Sequence, residues 1–586
     1  MTGYPNWLSA LRAYLLTVAA GGRELAVRNL LVGDVWVASG QSNMEWRLAD
    51  ATGGPEAATA AGDSLLREFK VPISWADRPA QDLTGGSWAP ADRQHAGAMS
   101  AVAYFFAREL RETQRVPIGI VNTTWGGSAI ETWLSATSQN LPADAGARGF
   151  AAERARLDSV RSVLVARFGD LRKDPGMVDG AAPWAAVELD TAGWGRLRAP
   201  APWESQGYEG VDGVAWYRTV VNLSAEEAAQ GARLALGAID DNDVTWVNGV
   251  EVGRTSGYNL PRRYAVPASA LRAGRNVIAV RVADYGGGGG FHGSADSLRL
   301  ELGGGSVRPL SGTWHFRLAE LGLQMDGQRT NKVPVITWNA MVHPLLGFPI
   351  KGVIWYQGES NANDEQQASR YRDQLRTLVT SWRREWRGSS PTFPFFWVQL
   401  PNLGPTETTP SPSGGSWAVH REATTAALAL PNTGQAVTID VGDPTDIHPR
   451  DKAPVGRRLA LLARRVAYGE KVATSGPTYQ SHTIEGNRVT VRFDDVGTGL
   501  VARGSIGANA GGGAGAAAPA TTGFAIAGDD RRWVWANARV ERDRVVVWSD
   551  EVPSPVAVRY AWQGNPPATL FGSDGLPAAP FRTDTW

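Results

Sequence analysis

Four short blocks of this 586-residue sequence hold residue types suited to acyl transfer. The first is Ser39-Gly40-Gln41-Ser42-Asn43, directly after the apolar run Asp34-Val35-Trp36-Val37-Ala38. A serine on a tight turn between a strand and a helix exposes its hydroxyl at the carboxyl edge of a sheet, and the helix N-terminus favours developing negative charge. The same position also suits a plain helix cap. A serine hydroxyl is a poor nucleophile until a positioned base takes its proton and a carboxylate fixes the tautomer of that base. The chain has only seven histidines, and His448 stands in Asp443-Pro444-Thr445-Asp446-Ile447-His448-Pro449. Asp446 is the expected orienting carboxylate, with Asp443 in reserve. The spacing Asp-x-His is one residue shorter than the commoner Asp-x-x-His, whose first position here is Thr445.

A tetrahedral intermediate also needs donors for its oxyanion. Trp125-Gly126-Gly127-Ser128 offers backbone N–H groups with no side chain in the way. Gln357-Gly358-Glu359-Ser360-Asn361 offers a side-chain amide at another turn after a strand. Taken alone, each block reads as an ordinary turn or capping network. Their common placement after strands of one α/β region makes them a candidate site.

The elements that must position these blocks follow from the pattern of apolar residues. Asp34–Ala38, Pro117–Asn122, Gly352–Tyr356, Phe393–Leu400 and Ala436–Val441 read as buried strands. Met44–Leu48, Ala98–Arg115, Glu153–Phe168, Glu365–Arg387 and Pro454–Tyr468 read as helices. Between about 181 and 332 short strands alternate with turns, as in Ala215–Val221, Arg233–Leu236, Val244–Gly249 and Asn276–Val282, with Gly286–Gly290 a loop tip. That spacing predicts a β-sandwich inserted into one α/β domain. From about 474 the chain is β-rich again, interrupted by a low-complexity loop at Gly511–Ala520 that is expected to be mobile. The domain expectation is therefore 1–32, a β region; 33–180 and 333–473, the two halves of the α/β domain; 181–332, the sandwich; and 474–586, a C-terminal β domain.

Composition narrows the classes. Lys+Arg 58 balances Asp+Glu 58, so no basic excess points to nucleic acid. There are 68 glycines and 35 prolines, together well above the usual ~12%, which favours many loops. The absence of cysteine removes disulfides, thiolate catalysis and cysteine-ligated metals. No HExxH, EF-hand or phosphate-loop pattern occurs, so no cofactor or metal is implied. No apolar run reaches 18 residues, so no membrane span is expected. The apolar stretch Ala13–Ala20 lacks a basic leader and reads as a strand rather than an export signal. The 24 tryptophans can pack cores or form flat platforms for sugar rings.

Val35–Trp46 (VWVASGQSNMEW), Val121–Trp133 (VNTTWGGSAIETW), Gly352–Asn361 (GVIWYQGESN) and Asp446–Leu459 (DIHPRDKAPVGRRL) together resemble the sialate O-acetylesterase family. That family lies within the SGNH-hydrolase superfamily of carbohydrate esterases. The resemblance, in block order and with the intervening sandwich, covers roughly residues 13–586. It implies an SGNH-type three-layer α/β/α domain with an inserted galactose-binding-like sandwich, no metal, and hydrolysis of O-acetyl esters on mono-, oligo- or polysaccharides. It also implies Ser42 as nucleophile, His448 as general acid/base, and oxyanion donors from Ser42 N–H, Gly127 or Gly126 N–H, and the Gln357 side chain. Asn361 stands as an alternative to Gln357, because the usual Gly-x-Asn-Asp block is replaced here. Relatives carry a fuller N-terminal β-domain and are often secreted or periplasmic.

Other features have plainer expectations. Glu359 is expected to pair with an arginine such as Arg421, with a catalytic role as the alternative. His343 is expected to be packed or solvated. Trp216, Tyr217 and Trp246 are expected mostly in the sandwich core, with sugar binding as the alternative. The activity expected is thus a sugar O-acetylesterase. The rivals are an acetylxylan or broad short-acyl esterase of the same chemistry, and a non-catalytic carbohydrate-binding protein.

Overall fold

The structure is a computed structural model and describes residues 13–322, 330–503 and 522–586; the Gly511–Ala520 loop lies outside the described residues. The chain divides into two compact units, Met1–Phe150 with Thr330–Trp586, and Ala151–Arg329.

The first unit is built on a seven-stranded sheet of β1 (Asp34–Gly40), β2 (Gly62–Lys70), β3 (Trp88–Asp92), β4 (Ile118–Thr124), β5 (Gly352–Tyr356), β6 (Phe395–Val398) and β7 (Thr433–Ala436). The spatial order is β7-β6-β5-β1-β4-β2-β3. All neighbours pair in parallel except β2 with β3. Strands covered on both faces read as unbroken apolar runs, and every residue of β5 and β6 is buried. Alternate side chains point to opposite faces. Trp36, Ala38, Ile354, Tyr356, Phe396 and Val398 join a core with helices α2 (Ala101–Gln114) and α5 (Ala453–Val466). Val37, Val353, Trp355, Phe395 and Trp397 join a second core with α3 (Glu365–Glu385) and α4 (Gly415–Ala426).

β1 is the central strand, and its carboxyl end carries the turn into the short helix α1 (Ser42–Glu45). Gly40 adopts φ +132°, and a Cβ there would lie 2.1 Å from the Tyr356 carbonyl oxygen. The close approach lets Gln41 N–H donate to Tyr356 O (3.0 Å) and Trp125 N–H to Gly40 O (3.0 Å), so the three strand ends are held side by side. Only glycine fits that crossing.

Beyond the sheet, Tyr14–Ala20 pairs antiparallel with Arg23–Leu30, and both strands are exposed along nearly their full length. The C-terminal part holds two four-stranded antiparallel sheets around a core that includes Val437, Ile439, Val491, Phe524, Val547 and Tyr560. Arg421, 1% exposed, donates to the carbonyls of Leu400 (2.8 Å), Pro401 (2.6 Å), Gln563 (2.7 Å) and Gly564 (2.9 Å). This buried guanidinium is lowered to about 9 by desolvation, and it ties the end of β6 to the segment near 563. The expected Arg421–Glu359 pair does not form. Backbone carbonyls at a chain crossing occupy the donors of Arg421 instead.

The second unit has two six-stranded antiparallel sheets whose inner faces share one core, including Leu197, Tyr217, Leu234, Ile278, Val280, Phe291, Leu300, Trp314 and Phe316. The unit starts at 151, thirty residues ahead of the change in sequence texture, because Leu164, Phe168 and Leu171 belong to this core. Trp216 and Tyr217 are fully buried and Trp246 is 4% exposed, with Trp216 and Trp246 stacked at 5.1 Å. They are packing residues and present no face to a sugar. No helix among the described residues is long and apolar enough to cross a membrane.

The tight crossing at Gly40 makes a specific prediction. Gly40→Ala should cost about 3 kcal/mol of stability through clash and strained backbone, read by urea unfolding. A variant within ~0.5 kcal/mol of wild type would contradict the close approach to Tyr356.

Candidate active site

Ser42, Gly126-Gly127 and Gln357–Asn361 emerge from the carboxyl ends of three adjacent strands, β1, β4 and β5. In open α/β sheets the crevice outside such ends is where ligands bind. His448 arrives on the loop after β7. That loop is anchored by Arg458, which donates to both Asp440 carboxylate oxygens (2.7 Å each) and to Val437 O (2.7 Å). Asn402 Oδ1 accepts from Gly442 N–H at 2.8 Å, and Gly404 N–H donates to Pro444 O at 3.0 Å.

The structure brings Ser42 Oγ to 2.8 Å from His448 Nε2, across 406 residues of sequence. Ser42 makes no cap bond in α1, whose N-cap is Gln41, so the hydroxyl is left to the imidazole. Asp446 Oδ1 lies 3.5 Å from His448 Nδ1 and accepts the His448 backbone N–H at 2.8 Å. Asp443 instead turns its Oδ1 onto the Thr445 N–H and hydroxyl, both at 2.8 Å, and serves the turn. The Trp46 ring stacks on His448, with centroids 5.4 Å apart and planes 22° from parallel.

The donors differ from expectation. Gly126 backs onto the serine, since a Cβ there would lie 3.5 Å from Ser42 Cβ, but its N–H donates to Glu45 Oε2 at 2.7 Å. Gly127 and Ser42 N–H groups have no acceptor among the described residues. The Gln357 amide is 1% exposed and gives its protons to Ser128 O (2.9 Å) and Asn361 Oδ1 (2.8 Å), while its Oε1 accepts from Tyr371 (2.7 Å). Asn361 is likewise occupied, donating to Glu131 Oε2 at 3.0 Å and accepting from Ile130 N–H at 2.9 Å. Both Gln357 protons are thus taken inside the protein, and one of the two on Asn361. Both amides fix the strand-end loops to one another.

Beneath the Ser–His pair runs a buried chain that sequence reasoning missed. Asn43 Nδ2 donates to Glu359 Oε1 (2.5 Å) and to Ile447 O (3.0 Å), and Asn43 Oδ1 accepts from Lys452 Nζ. Lys452 is 0% exposed, with its ammonium over the rings of Trp46 (5.6 Å) and Tyr356 (5.5 Å). Desolvation lowers its pKa to about 7 against the opposing charges of Glu359, Asp446 and Asp451. Glu359 is raised, chiefly by burial, with the Asn43 bond and the charges of His448 and Lys452 acting the other way. The signal was present, because Asn43 adjoins Ser42 and Lys452 follows His448 by four residues. A single sequence gave no reason to pair them.

The family model for carbohydrate esterases described as sialic acid-specific acetylesterase matches residues 335–463. The sialate O-acetylesterase of Rattus norvegicus is 26% identical over 79% of this chain and 61% of its own length. That of Homo sapiens is 39% identical over 158 residues, 24% of this chain and 29% of its own. The chain thus spans about three fifths of the rat relative. The crystal structure of a carbohydrate acetylesterase from Xanthomonas citri is 34% identical, covers 98% of this chain and 86% of its own, and superposes with a TM-score of 0.60. The chain belongs to the sialate O-acetylesterase family of carbohydrate esterases.

The buried ammonium has a measurable consequence. Its pKa falls from 10.5 to about 7 on folding, so between those values the unfolded chain keeps a proton that the native chain sheds. Stability from this group is lowest below about pH 7 and rises with pH through the window. Wild type should therefore gain stability relative to Lys452→Met between about pH 7 and pH 10, followed by urea unfolding. A difference that stays flat across that range would contradict the burial of the charge.

Proposed function

We propose that this protein is a serine esterase that removes acetyl groups from carbohydrate hydroxyls. The observation that carries the reading is the 2.8 Å approach of Ser42 Oγ to His448 Nε2 in the crevice at the strand ends. Family membership supplies the substrate class, acetylated sugars. On this reading the first unit's sheet, with its helices on both faces, is the SGNH-type α/β/α domain, split as 33–150 and 333–473 because residues 151–180 pack in the second unit. The 181–332 region is a galactose-binding-like insertion.

The reaction follows from the geometry. His448 Nε2 takes the proton as Ser42 Oγ attacks the acetyl carbonyl, and Asp446 steadies the imidazolium from the Nδ1 side. The N–H groups of Ser42 and Gly127 stabilise the oxyanion, and the positive end of α1 assists. The sugar alcohol leaves with the proton from His448. Water repeats the sequence on the acetyl-enzyme, returning Ser42 and releasing acetate. Trp46 presses on the imidazole face and limits its tilt while the charge moves.

Hydrolysis of 4-nitrophenyl acetate should fall to background in Ser42→Ala, with fold retained by circular dichroism. Activity surviving in that variant would overturn the nucleophile, and a wild type with no ester hydrolysis would favour a binding protein. Asp446→Asn should lower kcat by about 10²–10⁴-fold, whereas Asp443→Asn should stay near wild type. Comparing acetylated sialic acid with acetylated xylo-oligosaccharides then fixes the substrate, with faster release from the latter favouring a plant-polysaccharide esterase.

A further inference from the structure

The second unit pairs its buried acids unevenly. Asp243, 2% exposed, receives Arg262 Nε at 2.9 Å, the Tyr264 hydroxyl at 2.8 Å and the Thr245 hydroxyl at 2.7 Å. Its charge is neutralised as buried charges must be. A few residues away, Asp240, Asp241 and Asp284 bring carboxylate oxygens within 4.8 Å of one another, and here the charges that act most strongly are other carboxylates. Glu204 feels the nearby Asp212 in the same way. Burial, reinforced by this repulsion, lifts Asp240 and Asp284 to about 8 and Glu204 to about 7.

The oxygens that face this cluster lack hydrogen-bond partners. Asp284 is 1% exposed, and its Oδ2 has none; neither has Asp240 Oδ1 nor Glu204 Oε2. Independently of the acids, the neutral hydroxyl of Tyr217, 0% exposed, also has no partner, and it lies close enough to Glu204 and Asp284 for their charges to act on it. A buried phenol without a hydrogen-bond partner, one residue along the loop from a buried carboxylate oxygen without one, marks a place for a species that accepts oxygen ligands.

The glycine run covers this place. Gly286 N–H donates to Asp284 Oδ1 (2.8 Å), Tyr285 N–H to Asp241 Oδ2 (2.9 Å) and Gly289 N–H to Glu204 Oε1 (3.1 Å), which ties one oxygen of each of these three acids to the loop backbone. A Cβ at 287 would lie 3.4 Å from Asp240 Oδ2, one at 289 would lie 2.5 Å from Asp284 Oδ2, and one at 290 would lie 2.8 Å from the Tyr217 hydroxyl. Side chains in this loop would fill the space in front of the oxygens, so the glycines keep it open.

We propose that Asp240, Asp241, Asp284, Glu204 and the Tyr217 hydroxyl form a binding site for a hard divalent cation of the calcium type, closed by the Gly286–Gly290 loop. Calcium takes six to eight oxygen ligands in irregular geometry, and its charge would offset the repulsion among these carboxylates. The role is structural. Sequence reading found no metal motif because the ligands come from four separated segments.

The test uses the intact chain stripped with EDTA. Terbium should show tryptophan-sensitised luminescence, because Trp203 lies beside Asp284 Oδ2 at the position of Gly289, and calcium should compete it away. Calcium in about 100-fold excess over its Kd should raise the unfolding midpoint of the affected transition by roughly 5 °C. Asp284→Asn and the more accessible Asp241→Asn should each weaken calcium binding at least about tenfold by calorimetry. Tyr217→Phe keeps every carboxylate and should weaken it less, which serves if Asp284→Asn does not fold. Terbium luminescence unchanged by Asp241→Asn, or a midpoint and titration heat indifferent to calcium, would overturn the proposal in favour of protons shared among the acids.

Discussion

One buried amide holds the candidate site together. Asn43 sits next to Ser42 at the end of the central strand, and its three hydrogen bonds reach the β5 loop at Glu359, the histidine loop at Ile447, and Lys452 at the start of α5. Those partners come from segments 316 to 409 residues away. A primary amide has a fixed plane and distinct donor and acceptor ends, so satisfying all three sets the relative position of the segments within a few tenths of an ångström. The 2.8 Å serine–histidine contact joins two of the segments that this amide ties together. Catalytic constellations of this kind lose rate steeply when loosened by even 1 Å.

The charges around Asn43 explain why so polar a group is buried at all. An ammonium and a carboxylate taken from water each cost several kcal/mol, and neither is in direct contact with the other here. The neutral amide bridges them, accepting from Lys452 and donating to Glu359, so the pair is neutral overall without a salt bridge. Lys452 gains the faces of Trp46 and Tyr356 as well. Trp46 in turn lies against His448, so one indole couples the buried cation to the imidazole above it. In the proposed reaction, where His448 gains a positive charge, the carboxylates of Asp446 and Glu359 favour that charge and the Lys452 ammonium opposes it.

The large features were legible because they rest on periodicity and local chemistry. The continuous apolar runs of β1, β5 and β6, the turn at Gly40, and the alternating strands around 215–282 each carry their meaning within a few residues. The serine and histidine could be singled out because so few residue types do their chemistry. The donors could not. Gln357 and Asn361 have the right groups at the right strand end, yet both point into the protein, because buried amides bond first to one another and to backbone. Glu359 was read toward Arg421 for the same reason, since opposite charges attract in sequence reasoning, whereas the fold gives Arg421 four carbonyls that no side-chain pattern announces.

The second unit illustrates the complementary limit. Its acidic residues at 240, 241 and 243 are nearly contiguous, and sequence alone gives them one character. A change of sheet separates them, since Asp240 ends a strand of one sheet and Asp243 lies in a strand of the other; Asp243 meets Arg262, Tyr264 and Thr245, while Asp240 meets Asp284 and the glycine loop. A sheet that can supply an arginine to one carboxylate two or three residues from another has no topological bar to supplying it twice. The uncompensated cluster is therefore better explained by something the chain does not itself encode than by a failure of pairing, and the three glycines at 287, 289 and 290 that keep side chains away from those oxygens argue for an occupant of atomic size.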